Sequence, residues 1–342
     1  MSDLSNVRRA VHGMRWAIVP EKLETILDVL EVRTAQRRPF TADEIDERMA
    51  DTAAPRPHAA ARSHVGENGA KVAVLPLTGL IVPKSGMVNG ESMPSGTSCE
   101  AFATVFDAAV NDRSVTSIVI DIDSPGGSVN GVPELAQRIH AARGRKPITA
   151  VANGMAASAA YWIGSAADEF IVSPSGEVGS IGVYVTHAEG SEMYAKAGVK
   201  HTIIKAGDYK AEGNPFEPLT DDAKAAIQAD VDEIYGWFVS AVAKHRGVGT
   251  QTVAKNFGKG RCVMARMAVA AGMVDRIGTL ESVLVAHGTT GKKVAPLRAA
   301  SHVPLDKAAM FEAAASVSSF DEIESWLDPL AFSGREGAEA LL

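Results

Sequence analysis

The chain has 342 residues, of which 46% are hydrophobic and 22% charged, a composition typical of a soluble globular protein with two domains, or one large domain with appendages. Its formal net charge of −7 argues against a general nucleic-acid binder, because such proteins need a basic face. The two cysteines, Cys99 and Cys262, form no C-x-x-C pair, so we expect neither a disulfide scaffold nor a structural zinc site. No apolar run approaches the roughly 18 residues of a membrane span, and no signal-peptide pattern opens the chain, so we expect a cytoplasmic protein without membrane contact.

Residues 1–50 are predicted to form a helical N-terminal arm. Four apolar residues follow Pro20 at helical spacing: Leu23, Ile26, Leu27 and Leu30. A capping box at 41–44 indicates a second short helix, because its hydroxyl and carboxylate each satisfy an unpaired amide. Residues 51–69 are rich in Ala and Pro and lack an apolar period, so they are predicted to be a linker.

Residues 70–287 are predicted to form one α/β domain. Short β-branched runs alternate with helical stretches, which indicates βαβ units and a mostly parallel sheet. The strand-like runs lie at 71–82, 114–122, 146–153 and 168–174, and the helical stretches at 99–110, 132–143 and 221–244. A second linker is predicted at 288–304, followed by a weakly helical tail at 305–342.

Two glycines at the end of a predicted strand form the first candidate site, Ser-Pro-Gly-Gly at 124–127. Glycines there let the backbone approach a ligand and direct amides at it. On this stretch alone, a tight turn between strand and helix is the more common explanation. The spacing excludes a P-loop, because no Lys-Ser/Thr pair follows the glycines.

Ser158 is the second candidate, in a run of small residues that closes the predicted strand at 146–153 and opens a helix. A helix start offers unpaired amides to an oxyanion, and small neighbours would admit a substrate carbonyl. A serine in such a run packs in the core more often than it acts as a nucleophile.

A nucleophilic serine needs a base, and local chemistry leaves two candidates. His187 ends a strand-like run at 180–187, where a surface histidine is the simpler explanation. Lys210 could serve only if burial lowered its pKa by about two to three units, at a cost of some 3–4 kcal/mol. Most single lysines are instead solvated, so the residues alone do not decide between the two.

Five stretches, in this order, resemble peptidase family S49, which includes signal-peptide-peptidase A and bacteriophage capsid proteases. They are SPGG at 124–127, MAASAAY at 155–161, GSIGV at 179–183, KAGDYK at 205–210, and GKGRCVMARMAVAAGMVDRIG at 258–278. The resemblance implies an α/β fold of the crotonase/Clp-protease-like type, a spiral of βαβ units, to which this chain adds the helical arm and the tail.

The resemblance also implies the site residues: Ser158 as nucleophile, Lys210 as general base, the amides of Gly127 and Ala159 as oxyanion hole, and Ser180 as the residue that orients the lysine. Ser158 and Lys210 would form a Ser-Lys dyad, a variant of the catalytic triad. Lys205 is the nearest alternative base, but it matches the first lysine of the motif rather than the last. The resemblance implies neither a cofactor nor a metal.

The predicted function is that of a serine endopeptidase that matures phage or prophage heads by cleaving scaffold, capsid or portal proteins. We expect a homo-oligomer that acts in the host cytoplasm, inside a procapsid, and that binds no nucleic acid and no membrane. Two alternatives remain at this stage: a soluble protease like signal-peptide peptidase, and an assembly protein whose protease fold is mainly a binding module. An acyl-CoA enzyme of the crotonase type fits less well, because only the Gly-Gly turn agrees with it.

Overall fold

The computed structural model describes residues 15–20, 22–23, 62–65, 71–84 and 96–288, and at 62–65 the backbone alone. This part of the chain is an α/β structure with a mostly parallel main sheet, which confirms the predicted fold class. Its strands are β1 (Trp16–Ile18), β2 (Arg62–Val65), β3 (Lys71–Thr78), β4 (Ile81–Val82), β5 (Thr97–Ser98), β6 (Val115–Ser124), β7 (Gly126–Ser128), β8 (Ile148–Ala157), β9 (Glu169–Val172), β10 (Glu177–Gly179), β11 (Cys262–Met264) and β12 (Arg276–Ile277).

Helices alternate with these strands through most of the domain. They are α1 (Cys99–Asn111), α2 (Val132–Ala141), α3 (Ala159–Ser165), α4 (Ser191–Lys196), α5 (Asp221–Arg246), α6 (Thr250–Asn256), α7 (Ala265–Ala270) and α8 (Leu280–Ala286). Capping follows the sequence, because the hydroxyls of Ser98 and Thr220 accept amides of the first turns of α1 and α5.

The main sheet has the order β11-β10-β8-β6-β3-β2, with β9 and β12 branching from β8. The branch arises because β8 has two neighbours on one side. Its residues 149–152 pair with β9, and its residues 155–157 pair with β10. The second half of β8 therefore leads away from β9 and ends directly before Ser158.

Both faces of this sheet are buried, which explains its nearly continuous apolar runs. Along β6, Ile118, Ile120 and Ile122 enter the larger core, which also contains side chains of α1, α2, α3 and α5. Val119 points to the opposite face and packs in a smaller core with Val283 of α8. Because successive side chains of a strand point to opposite faces, the sheet packs against helices on both sides.

A second, smaller sheet has the order β1-β7-β4-β5 and lies where the Ser-Pro-Gly-Gly turn leaves β6. In it, β7 pairs antiparallel with β1 and parallel with β4. A Cβ atom on Gly127 would lie 1.9 Å from the Ile81 carbonyl oxygen, so only glycine allows β4 to come this close. This sheet brings the N-terminal residues of the chain to the Gly-Gly strand.

The structure differs from the sequence prediction at three places, and the first is β1, a strand within the stretch predicted as a helical arm. The run at 180–187 is not a strand: β10 ends at Gly179, Ser180 has a φ of 52°, and the run then forms one isolated bridge, at Tyr184. A positive φ at a serine breaks the extended conformation, which explains the interruption. In addition, β2 pairs with β3 inside the stretch predicted as a linker.

The remaining predictions on domain organisation stay predictions. A helix does begin at Pro20, but its continuation, the capping box at 41–44, most of the first linker and nearly all of the region from 288 to 342 lie outside the described residues. Within the described part, none of the helices combines the length and the apolar character that a membrane crossing requires.

Candidate active site

Ser158 lies at the junction of β8 and α3, as the residue that precedes the first turn of the helix. Its φ of 54° and ψ of −116° are unfavourable for any residue with a side chain. Strained residues of this kind are concentrated at functional sites, and a serine on a sharp turn from strand to helix is the geometry of a nucleophile elbow. The flanking residues here are alanines instead of glycines.

The Ser158 hydroxyl is buried and has no hydrogen-bond partner among the described residues. The residue is 1% exposed, and its side chain does not cap α3. Leaving a buried hydroxyl unpaired costs about 1–3 kcal/mol, which a serine with a purely structural role would avoid by bonding a nearby carbonyl. The hydroxyl is therefore available to a ligand.

Backbone hydrogen bonds fix the position of Ser158 and of Ser180. The Ser158 amide donates to the Gly179 carbonyl oxygen at 2.7 Å, and the Ser180 amide donates to the Arg261 carbonyl oxygen at 2.9 Å. Ser180 is 7% exposed. The structure thus brings together the predicted nucleophile and the residue predicted to orient the base.

The predicted oxyanion hole lies against the same serine. Ala159 is the first residue of α3, so its amide has no acceptor within the helix. A Cβ atom on Gly126 would lie 3.0 Å from the Ser158 Cβ, which places the Gly-Gly strand next to the hydroxyl. The Gly126 amide donates to the Ser124 hydroxyl at 3.2 Å, which leaves Gly127 as the donor of this pair that can serve a substrate.

Lys210 is not brought to Ser158 in this structure. It is exposed, in the turns at 206–213, and the Ser158 hydroxyl has no partner within the part of the chain that the structure describes. The other candidate bases are also engaged elsewhere. His187 donates through Nε2 to the Gly213 carbonyl oxygen at 3.1 Å, and the Lys205 amine donates to the Asp208 carbonyl oxygen at 2.8 Å.

Two other chemistries find no support in the described residues. No group of three or more His, Cys, Asp or Glu side chains among them could hold a metal ion. Burial raises the pKa of the Cys99 thiol to about 12, so this cysteine is not a nucleophile at neutral pH.

One part of the site was missed by the sequence analysis. Residues 16–18 form β1 and pair with Gly126–Ser128, beside Ser158. The available signal was a short aromatic and β-branched run, Trp16 to Val19, that ends at Pro20.

Most of this site lies in a region of the chain that is similar to known proteins. The model of peptidase family S49 matches residues 140–294, a range that includes Ser158, Ser180 and Lys210 but not Gly127. The capsid assembly protease C of Escherichia phage lambda is 32% identical over 217 residues, 64% of this chain and 48% of that protein. The head-tail preconnector protein GP5 of Enterobacteria phage P21 is 34% identical over 210 residues, 61% of this chain and 40% of that protein.

A solved structure of a mutant 1510-N membrane-bound stomatin-specific protease aligns with 63% of this chain and 83% of its own, at a TM-score of 0.39 and 14% identity. At that score it adds no argument. The chain spans about half the length of the two curated relatives, 48% and 40%. The resemblance that the five motifs indicated is nevertheless confirmed: residues 140–294 match the model of peptidase family S49.

Proposed function

We propose that the chain is a serine endopeptidase with Ser158 as its nucleophile. The observation that carries this proposal is the Ser158 hydroxyl, which is buried, unpartnered among the described residues and held on a strained turn. The match of residues 140–294 to the model of peptidase family S49 supports the same assignment.

The mechanism that we propose adds the Lys210 amine to the groups that lie beside this hydroxyl. The Ser158 oxygen attacks a peptide carbonyl while Lys210, in its neutral form, takes the hydroxyl proton. The amides of Gly127 and Ala159 donate to the developing oxyanion, and one such donor contributes about 3–4 kcal/mol. The proton passes to the leaving amine, and water then hydrolyses the acyl-enzyme to regenerate the serine.

The dyad requires that Lys210 be covered, because a solvated lysine stays protonated at neutral pH. None of the residues from 182 to 222 is buried, so this segment has no core of its own. It also exposes four large apolar side chains: Met193 (61%), Val199 (47%), Ile204 (95%) and Tyr209 (74%). Exposed apolar side chains of this kind favour an interface, and we place the burial of Lys210 at a contact between copies of the chain.

The substrates that we propose are proteins of the phage head: scaffold, capsid or portal. Support comes from the names of the two relatives, a capsid assembly protease and a head-tail preconnector protein. We accordingly place the activity in the host cytoplasm, within an assembling procapsid.

The test compares cleavage of an unfolded protein, β-casein, by the full-length chain and three variants. Ser158→Ala and Lys210→Ala should each lower the rate by at least 1,000-fold, as removing any member of such a catalytic unit does. Lys205→Ala is the matched control and should keep most of the rate. A Ser158→Ala chain that cleaves at the wild-type rate would refute the serine mechanism.

Two further measurements refine the proposal. Mixing Ser158→Ala with Lys210→Ala chains should restore part of the activity if the lysine comes from a neighbouring copy, and none if a chain uses its own lysine. Should Ser158→Ala leave head assembly unchanged, the assembly-module alternative would replace the proteolytic one.

A further inference from the structure

The chain places one of its own segments across the candidate active site. Residues 15–19 run between two parts of the domain, with β7 on one side and Tyr184 on the other. Trp16 and Tyr184 exchange two backbone hydrogen bonds, of 3.0 and 3.1 Å. On the other side, Trp16–Ile18 pair antiparallel with Gly126–Ser128. The segment is thus an extended peptide with backbone hydrogen bonds on both sides. Proteases and other peptide-binding proteins hold a ligand strand in the same way.

The register puts the Ala17 carbonyl on the predicted oxyanion donor. The Val19 amide donates to the Pro125 oxygen at 3.0 Å, and the Val129 amide donates to the Arg15 oxygen at 3.2 Å. Hydrogen-bonded pairs alternate along an antiparallel ladder, so the pair between these two, Ala17 and Gly127, is hydrogen-bonded as well. The Gly127 amide is therefore directed at the Ala17 carbonyl oxygen.

The same carbonyl lies close to the nucleophile. A Cβ atom built on Gly126 would lie 2.2 Å from the Ala17 oxygen and 3.0 Å from the Ser158 Cβ. The Ala17 oxygen and the Ser158 Cβ can therefore be no farther apart than these two distances added together. The Ala17 carbonyl oxygen and the side chain of Ser158, whose hydroxyl is unpartnered, therefore both lie beside Gly126.

We propose that residues 15–19 are a substrate strand of the chain's own active site, and that the bond presented to Ser158 is Ala17–Ile18. This inference rests on the proposed function. The Ser158 oxygen adds to the Ala17 carbonyl carbon, the C–N bond to Ile18 breaks, and the Ile18 nitrogen leaves with the proton that the serine gave up. One water then hydrolyses the ester, which leaves a carboxylate on Ala17 and a new amino terminus on Ile18.

The side chains of the segment agree with a bound substrate. Ala17 is fully buried in the larger core, with no room for a large side chain. Trp16 and Ile18 point to the opposite side, where they pack with Leu23, Leu80 and Tyr184. The site therefore selects a small residue before the cleaved bond.

One ion pair assists the docking: the Arg15 guanidinium contacts the Asp230 carboxylate of α5. Both side chains are about half exposed, so the pair contributes little energy but fixes the direction of the strand. It ties the segment to the long helix at a point three residues before the cleaved bond.

The test follows the amino terminus of the full-length chain by mass spectrometry during incubation at neutral pH. We expect release of residues 1–17 and a product that begins at Ile18, and neither should form in Ser158→Ala. Activity on β-casein is measured in the same samples. Cleavage of β-casein by a chain that keeps residues 1–17 would overturn this inference while leaving the proposed function intact. Failure of both reactions would instead count against the proposed function.

Two variants test the position of the cleaved bond. Ala17→Phe cannot enter the buried position and should slow release of residues 1–17 by at least 100-fold. Ala225→Phe, on an exposed position of α5, is the matched control and should release the fragment at the wild-type rate. A synthetic peptide with the sequence of residues 12–22 should be cut after its alanine, and the same peptide with phenylalanine there should remain intact. Release of the fragment by Ala17→Phe at the wild-type rate would contradict the assignment.

Discussion

The amide of Ser158 donates to the carbonyl oxygen of Gly179 at 2.7 Å, which joins the end of β8 to the end of β10. These strands pair in parallel up to Ala157 and Gly179, so the bond continues their ladder by one residue. Ser158 is thereby held at a positive φ by the sheet, against its own conformational preference. The contact between β8 and β10 therefore holds the candidate nucleophile in its strained backbone conformation.

Replacing Ser158 by glycine should therefore stabilise the protein. Its backbone angles mirror an extended conformation, which glycine adopts without steric cost. Strain of about 1–3 kcal/mol is relieved, and the greater freedom of glycine in the unfolded chain offsets up to about 1 kcal/mol. We expect a net gain of roughly 1 kcal/mol in the free energy of unfolding, measured by urea denaturation.

Ser158→Ala is the control for this stability effect. It removes the same hydroxyl but keeps the Cβ atom, so the strain remains. Equal stability of the glycine and alanine variants would mean that the unpaired hydroxyl, and not the backbone, carries the cost.

A methyl group at position 126 should displace β1 from the site. Gly126 has a φ of 104°, and its Cβ atom would lie 2.2 Å from the Ala17 carbonyl oxygen. Because Ala17 belongs to a strand of three residues, we expect Gly126→Ala to free residues 15–19 rather than unfold the domain. Hydrogen exchange at the amides of Trp16 and Val19 should become at least tenfold faster.

Gly144→Ala is the control that distinguishes backbone strain from the collision with the Ala17 carbonyl oxygen. Gly144 also has a positive φ, of 77°, but its Cβ atom would meet no atom within 4 Å. This variant should lose a similar backbone energy and leave exchange at β1 unchanged. Faster exchange at β1 in both variants would show that backbone strain alone, and not the contact with Ala17, releases the strand.

The sequence predicted the parts of the structure that local chemistry determines. The β-branched runs became β3, β6, β8 and β9, because each fits a sheet buried on both faces. The resemblance to family S49 implied that Ser158 meets the Gly-Gly strand, and strand ends of a parallel sheet do gather at one edge.

What the sequence did not predict depends on contacts between distant segments. The strand β1 exists because its backbone pairs with β7, more than 100 residues away, and its short run carries no periodicity of its own. The break at Ser180 likewise comes from pairing with Arg261. The structure leaves Lys210 exposed, so the burial that a lysine base requires is not supplied by the described residues.

Arg143 should be the side chain that most stabilises the far end of α3. Its guanidinium donates to four backbone carbonyls where α3 and α5 end: those of Ser165, Ala166, Ala167 and His245. Carbonyls at a helix end have no partner within the helix, so this one arginine supplies their hydrogen bonds where they are buried. We expect Arg143→Met to lower the free energy of unfolding by about 2–4 kcal/mol, because it leaves several buried acceptors unpaired.

Arg145→Met is the matched control. Arg145 lies two residues away and makes one exposed hydrogen bond, to the Asn111 side chain at 3.0 Å. Its replacement should change stability by less than about 0.5 kcal/mol. Similar losses in both variants would show that a lost surface charge, and not the helix ends, accounts for the effect.

Acid should destabilise the domain through His245, which lies on α5 and is 8% exposed. Its Nδ1 is 3.0 Å from the Ser165 hydroxyl, which itself donates to the Trp162 carbonyl, so Nδ1 carries a hydrogen. Burial, followed by the nearby charges of His140, Arg143 and Lys244, lowers the pKa of His245 from 6.5 to about 3.

Between pH 6.5 and about 3 the unfolded chain therefore binds one more proton at His245 than the folded chain, and stability falls as the pH is lowered through this window. The loss attributable to this one residue is on the order of 4 kcal/mol at the acid end. Urea denaturation at a series of pH values should show a steeper dependence for the wild type than for His245→Asn, which keeps a donor toward Ser165 but cannot be protonated. His201→Asn removes an exposed imidazole and serves as the matched control. If the wild type and His245→Asn lose stability in parallel as the pH falls, other groups cause the acid sensitivity, and the buried imidazole does not contribute to it.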